Sequence, residues 1–76
     1  MGTERITSDP RILFGKAIIR GTRIPVDLIV EKFADGETME SILLSYPQLK
    51  KEDISSALEF AAQVLRNDII YPVEAA

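Results

Sequence analysis

The 76 residues of this chain include no cysteine, no histidine and no tryptophan. Without thiols there is no disulfide to brace the fold and no thiolate site for zinc or an iron–sulfur cluster. Without imidazole, histidine-type metal sites and Ser/His or Cys/His nucleophilic catalysis are excluded as well. No apolar run approaches the roughly 20 residues that a membrane-spanning helix needs. The opening Met1-Gly2-Thr3-Glu4-Arg5 carries no apolar segment of the secretory kind, and Ile6 stands where a myristoylation pattern wants Ser or Thr. A cytoplasmic protein without membrane contact is the expectation. Gly15, Gly21 and Gly36 are too irregularly spaced for a Rossmann or Walker phosphate loop.

What is present is ordinary globular material: 46% hydrophobic and 28% charged residues. That is enough apolar surface to offset chain entropy. The length fits one domain, residues 1–76. A chain this short buries only about 60% of its unfolded surface, so its stability is marginal and self-association is the remedy left open. A homodimer is expected. The formal net charge is −3, but it is unevenly spread. Residues 1–25 hold five basic and two acidic side chains, whereas residues 26–76 hold four basic and ten acidic ones. Such a split fits either a polyanionic partner or a merely solvated surface.

Along the chain, Ile12 to Phe14 and Ala17 to Ile19 are two short β-prone runs around Gly15-Lys16, and they predict a hairpin over about 12–19. A lone hairpin is barely stable, so it must lie on helices or pair with its own copy, with Ile12, Phe14 and Ile18 as the dimer contacts. A first helix is expected over about 25–35, with Pro25 at its start, Asp27 in the first turn and Asp35-Gly36 at its end. Val26, Ile29, Val30 and Phe33 give it one apolar face. A second helix over about 38–46 has Thr38 as N-cap and is closed by Pro47.

A third helix, over about 51–67, carries the apolar stripe Ile54, Ala57, Leu58, Ala61 and Leu65. Leu49 and Ile54 bracket an N-cap at Lys50, with Asp53 at the third helical position. Phe60 and Val64 lie on a second apolar flank that either completes the core or meets a partner. The tail, 68–76, is extended and apolar in character, because Pro72 disfavours helix.

Catalysis has little to work with. The paired carboxylates Glu52-Asp53 and Glu37…Glu40 fall at helix starts, where the dipole already accounts for them. No enzyme activity, cofactor, metal site or small-molecule substrate is expected. Three short helices with a proline-containing connection between the second and third have the outline of a helix-turn-helix domain. Its third helix would offer Lys51, Ser55, Ser56 and Gln63 to DNA, alongside Glu52 and Glu59, which phosphates repel. Arg20-Gly21-Thr22-Arg23 would supply backbone contacts, or its arginines would simply pair with nearby carboxylates.

The stretch Gly15-Lys16-Ala17-Ile18-Ile19-Arg20-Gly21-Thr22-Arg23-Ile24-Pro25-Val26 resembles the signature of the domain-of-unknown-function family numbered 433. Tyr46-Pro47-Gln48-Leu49, Asp53-Ile54 and Ala57-Leu58 match its second half, and Asp9-Pro10 and Ile12 its opening. Lys50 stands where members often carry a Ser or Thr cap, and Ala17 replaces a frequent proline.

The resemblance implies a mainly α fold: a short N-terminal β-hairpin followed by a three-helix, homeodomain-like helix-turn-helix bundle. It further implies a DNA-binding antitoxin of the VapB type, a self-repressor that neutralises a PIN-type ribonuclease toxin. In that reading Arg20, Thr22, Arg23, Lys50, Lys51, Ser55, Ser56 and Gln63 meet DNA. Phe60, Val64, Arg66, Ile69, Ile70, Tyr71 and Val73 meet the toxin. The alternative is a protein-interaction module that never touches nucleic acid.

Overall fold

The structure, a computed structural model, describes residues 2–67. Three helices follow a short antiparallel pair of strands, so the chain is mainly α. A single 3-10 turn, Gly2–Arg5, leads into strand β1 (Ile6–Thr7). β1 pairs with β2 (Ile18–Ile19) in antiparallel register, Ile6 opposite Ile19 and Thr7 opposite Ile18. The other edge of β2 is also taken. The chain turns through residues 20–23 and returns, so that Ile19 N–H donates to Ile24 O at 3.0 Å and Val26 N–H to Ala17 O at 2.9 Å, with Pro25 bridged to Ile18.

This arrangement corrects the expected hairpin. Ile12, Leu13 and Phe14 are not a strand. Leu13–Gly15 form a second 3-10 turn, with Leu13 and Phe14 at φ 51° and 56°. The physical reason is competition for β2. Ile6 and the Ile24–Pro25 segment bury their own apolar side chains when they flank it, whereas Phe14 stands fully in solvent. The turn signals of Asp9-Pro10 prevail over β propensity at 12–14: Ile12 N–H donates to Asp9 O at 2.8 Å, which bends the chain before a ladder can form. Ile18, expected at a dimer contact, is 2% exposed inside its own protomer.

Helix α1 (Val26–Ala34) starts after Pro25, whose extended backbone makes it the cap rather than the first helical residue. It ends at Gly36, which at φ +92° adopts the left-handed turn that costs glycine little. Glu37 N–H then reaches back to Lys32 O at 3.1 Å, a carbonyl that the Asp35 N–H also shares, and Gly36 N–H to Phe33 O at 2.9 Å. Helix α2 (Met39–Ser45) is capped by Thr38, whose side chain accepts from Ser41 N–H at 3.1 Å.

Helix α3 (Lys51–Asn67) is held at its start by Asp53, whose Oδ2 accepts from Lys50 N–H at 2.9 Å. That is half of a capping box, and it compensates for lysine being a poor cap. Leu49 and Ile54 are both buried around this cap.

The core is built from aliphatic residues of both strands and all three helices, with Ile24 and Leu49 from the connections. Ile29, Ile42, Ile54 and Ala57 are fully buried, joined by Ile6, Ile19, Ile24, Val26 and Leu49. α1 covers only part of α3. At 1.5 Å rise per residue α1 is about 13 Å long and α3 about 25 Å. The apolar stripe of α3 therefore continues past its cover, and Val64 and Leu65 emerge into solvent.

Candidate functional site

Three surfaces carry chemistry. The first is the loop between β2 and Ile24. Gly21 sits at φ +82°, a conformation that side chains disfavour, and Thr22 braces the turn. Its Oγ1 donates to Ile19 O at 2.7 Å and accepts from Ile24 N–H at 3.0 Å. Thr22 is thus spent on holding the loop, half-buried, while Arg20 and Arg23 point outward, both exposed. Arg20 is steadied by its Nε donating to Glu4 O at 2.8 Å, leaving the rest of its guanidinium at the surface.

Beside the loop is a hollow of about 630 Å³ of mixed lining, with Ile12 and Ile18 beside Asp9, Thr22, Arg23 and Gln48. Gln48 lies in the α2–α3 connection, so the arginine loop and that turn border one depression. At its rim Arg11 grips Asp9: Nε to Oδ1 and Nη2 to Oδ2, each 3.0 Å, with the Arg11 backbone N–H also on Oδ1 at 2.9 Å. The Arg11 guanidinium, then its backbone N–H, and last the charge of Arg23 hold the Asp9 carboxyl below its ordinary range.

The second surface is the outer side of α3 near its start. Lys50, Lys51 and Ser55 are exposed there, and Gln63 and Arg66 follow towards the far end, half-buried and exposed respectively. Ser56 does not join them. It is 4% exposed and lines the base of a hollow between α3 and the N-terminal 3-10 turn. The expected contact residue is therefore an interior one, because the turn at Gly2–Arg5 packs across that side of the helix. The same hollow gathers Glu4, Glu52 and Glu59. Arg5 is drawn away from a partner by Asp53, with Nη1 to Oδ1 at 3.0 Å.

The third surface is an apolar groove of about 550 Å³ between α1 and the last turns of α3. Val26 and Val30 form one wall, Phe60, Ala61, Val64 and Leu65 the other, with Ala17 between them. Lys16 and Asp27 pair across one end at 2.9 Å, and both are more than half exposed, so that pair contributes at most about 1 kcal/mol.

Phe60 and Val64, left open by the sequence between core and partner, answer both ways. Phe60 packs on the core and also lines the groove, whereas Val64 is 43% exposed. Val30 and Leu65, placed by their spacing on the apolar face of α1 and the apolar stripe of α3, line this groove and are 38% and 59% exposed. The unequal helix lengths were the signal that could have shown it. Ile69, Ile70, Tyr71 and Val73 lie outside the described residues.

Three helices behind a short antiparallel strand pair make the chain a small helical bundle. The chain belongs to DUF433, a family of proteins of unknown function, whose model matches residues 6–61. It is 40% identical over 58 residues to the uncharacterised protein y4eO of Sinorhizobium fredii (strain NBRC 101917 / NGR234), a match covering 76% of this chain and 26% of that protein. It resembles the crystal structure of a DUF433 member protein from Anabaena variabilis ATCC 29413, with a TM-score of 0.78 and 35% identity over 82% of this chain and 61% of the other. The chain thus spans about a quarter of the length of y4eO and under two thirds of the Anabaena chain. Among the described residues no helix is long and apolar enough to cross a membrane.

Proposed function

We propose that this chain is a non-enzymatic, dimeric, DNA-binding antitoxin-like protein, a self-repressor that neutralises a PIN-type ribonuclease toxin. The observation that carries the DNA half is the braced loop whose exposed Arg20 and Arg23 stand beside the α2–α3 turn, Arg23 and Gln48 bordering one hollow. Arginines on a rigid loop beside a helix-turn-helix connection suit phosphate contacts that set the register of α3 on a duplex. Lys51 and Ser55 then lie on the helix side that would face the groove. The apolar groove supports a protein partner, since exposed apolar patches mark contacts.

Electrophoretic mobility shift with DNA from upstream of its own gene tests this. A sequence-selective shift that weakens steeply with salt is the expected result, and no shift at micromolar dimer overturns the DNA half. Light scattering at tens of micromolar is expected to report a dimer.

A second reading, a protein-interaction module without nucleic acid, is favoured by one observation: Glu4, Glu52 and Glu59 crowd the start of α3 and would repel phosphates. Co-purification with the products of neighbouring genes, in the absence of any DNA shift, is the result that selects it.

A further inference from the structure

Residues 13–15 hold three left-handed backbone angles in a row, φ 51° at Leu13, 56° at Phe14 and 82° at Gly15. Glycine adopts such angles at little cost; leucine and phenylalanine do not. The turn is closed all the same, with Gly15 N–H donating to Ile12 O at 3.0 Å and Lys16 N–H to Leu13 O at 3.2 Å. Its effect is to hold Phe14 wholly in solvent, with Leu13 exposed beside it. A single exposed apolar side chain is ordinary, but one held out on a strained, hydrogen-bonded turn is not, since such strain clusters where a ligand or partner is gripped. Two residues further on, Lys16 and Ala17 line the apolar groove between α1 and α3. We propose that Phe14 is the knob for that groove in a second copy of this chain, two copies exchanging their Phe14 rings reciprocally about a two-fold axis. This rests on the dimeric part of the function proposed above and names the contact that makes the dimer.

Knob and groove lie on neighbouring stretches of one chain, as an isologous pair requires: each copy both gives and receives, so the assembly closes at two. The chemistry matches. The ring would meet Val26, Val30, Ala61, Val64 and Leu65 in a groove of about 550 Å³, ample for one phenyl group. The charges match as well. From Arg11 to Lys16 the chain has two basic side chains and no acidic one, while Asp27 and Glu31 stand on the α1 side of the groove. Glu31 makes no ion pair among the described residues and is free to meet the incoming loop. A buried phenylalanine removes about 150–250 Å² from water. Two of them, with the groove walls they cover and Leu13 beside each, approach the low end of specific interfaces, about 1,200 Å².

Sedimentation or light scattering of the full-length chain at tens of micromolar tests this. Phe14→Ala removes a ring that packs on nothing in its own chain, so the fold is expected to persist. The dissociation constant of the dimer is expected to rise at least about a hundredfold, two aromatic anchors being lost per pair. Val64→Glu, on the groove wall, is expected to do the same; should it lower the helical content, Leu65→Glu takes its place. Each variant keeps the half that the other lacks. Amide signals of Val30, Ala61 and Leu65 in isotope-labelled Phe14→Ala chain are therefore expected to shift on adding unlabelled Val64→Glu chain, and not on adding unlabelled Phe14→Ala chain.

A wild-type dimer that survives Phe14→Ala overturns this contact and leaves the dimeric reading standing. A wild-type monomer overturns both. Loss of the dimer in Phe14→Ala without any complementation between the two variants also overturns the proposal, since Phe14 then meets a surface other than the groove. A dimer lost in Val64→Glu alone does so too, because the grooves then pack on each other.

Discussion

Asp53 holds two segments with one carboxylate. Oδ2 accepts from the Lys50 N–H at 2.9 Å, and Oδ1 takes Arg5 at 3.0 Å. The first contact closes the start of α3; the second ties the N-terminal turn to it. Asp53→Ala is expected to destabilise the fold by about 1–2 kcal/mol, most of it from the cap, because Arg5 is 42% exposed and its ion pair is screened. The midpoint of urea unfolding measures this, and Asp53→Asn, which keeps an acceptor, is expected to lose less. Asp9 offers a different readout. Its carboxyl is held low by Arg11 first, so the folded value lies below the unfolded one. The small stabilisation it brings is present above the unfolded value and fades as pH falls through the folded one. A carboxyl NMR titration is expected to place the Asp9 midpoint below the ordinary aspartate value, and Arg11→Ala to move it upward.

Helices and strands were legible to different degrees, for a physical reason. Helix starts and stops are local: Thr38, Gly36 and the Lys50–Asp53 cap act through bonds within a few residues, so the sequence alone placed them. Strand pairing is not local. Ile12 to Phe14 have β-prone side chains, yet β2 takes Ile6 and Ile24–Pro25 as its neighbours because those bury more. At the same scale, the three helices converge on Ile29, Ile42 and Ile54, each fully buried. Ile54→Ala is expected to cost about 2–5 kcal/mol, the range for a large-to-small change in a packed core. In so short a chain that is a large share of the total, and cooperative thermal unfolding is expected to be lost or sharply lowered. Leu44, 83% exposed on α2, is the control; Leu44→Ser is expected to change stability by no more than about 0.5 kcal/mol.

The arginine loop and the apolar groove lie at different places on the molecule. Arg20 and Arg23 stand at a loop tip beside the α2–α3 turn, while the groove opens between α1 and the far end of α3. In the DNA-binding reading, Arg20→Ala with Arg23→Ala is expected to weaken binding on every sequence alike. The slope of log affinity against log salt is expected to fall by roughly 0.9 for each phosphate contact removed. Ser55→Ala is expected to alter sequence preference instead, and Ser56→Ala, being interior, to alter stability without touching either. Of the residues singled out for such a surface, Arg20, Arg23, Lys50, Lys51 and Ser55 are exposed and Gln63 is half-buried. Thr22 is spent on the loop itself, and Ser56 is covered by a turn that no local pattern reveals.

Composition and short-range pattern settled what this chain lacks, the order of its three helices and the glycine and threonine turns that end or cap them, because those depend on bonds formed between near neighbours. Which strand joins which, which serine is interior, and that α3 outruns α1 to leave an apolar groove were decided only when distant segments met. Burial is a property of pairs of elements, and no single helix or strand carries it in its own sequence.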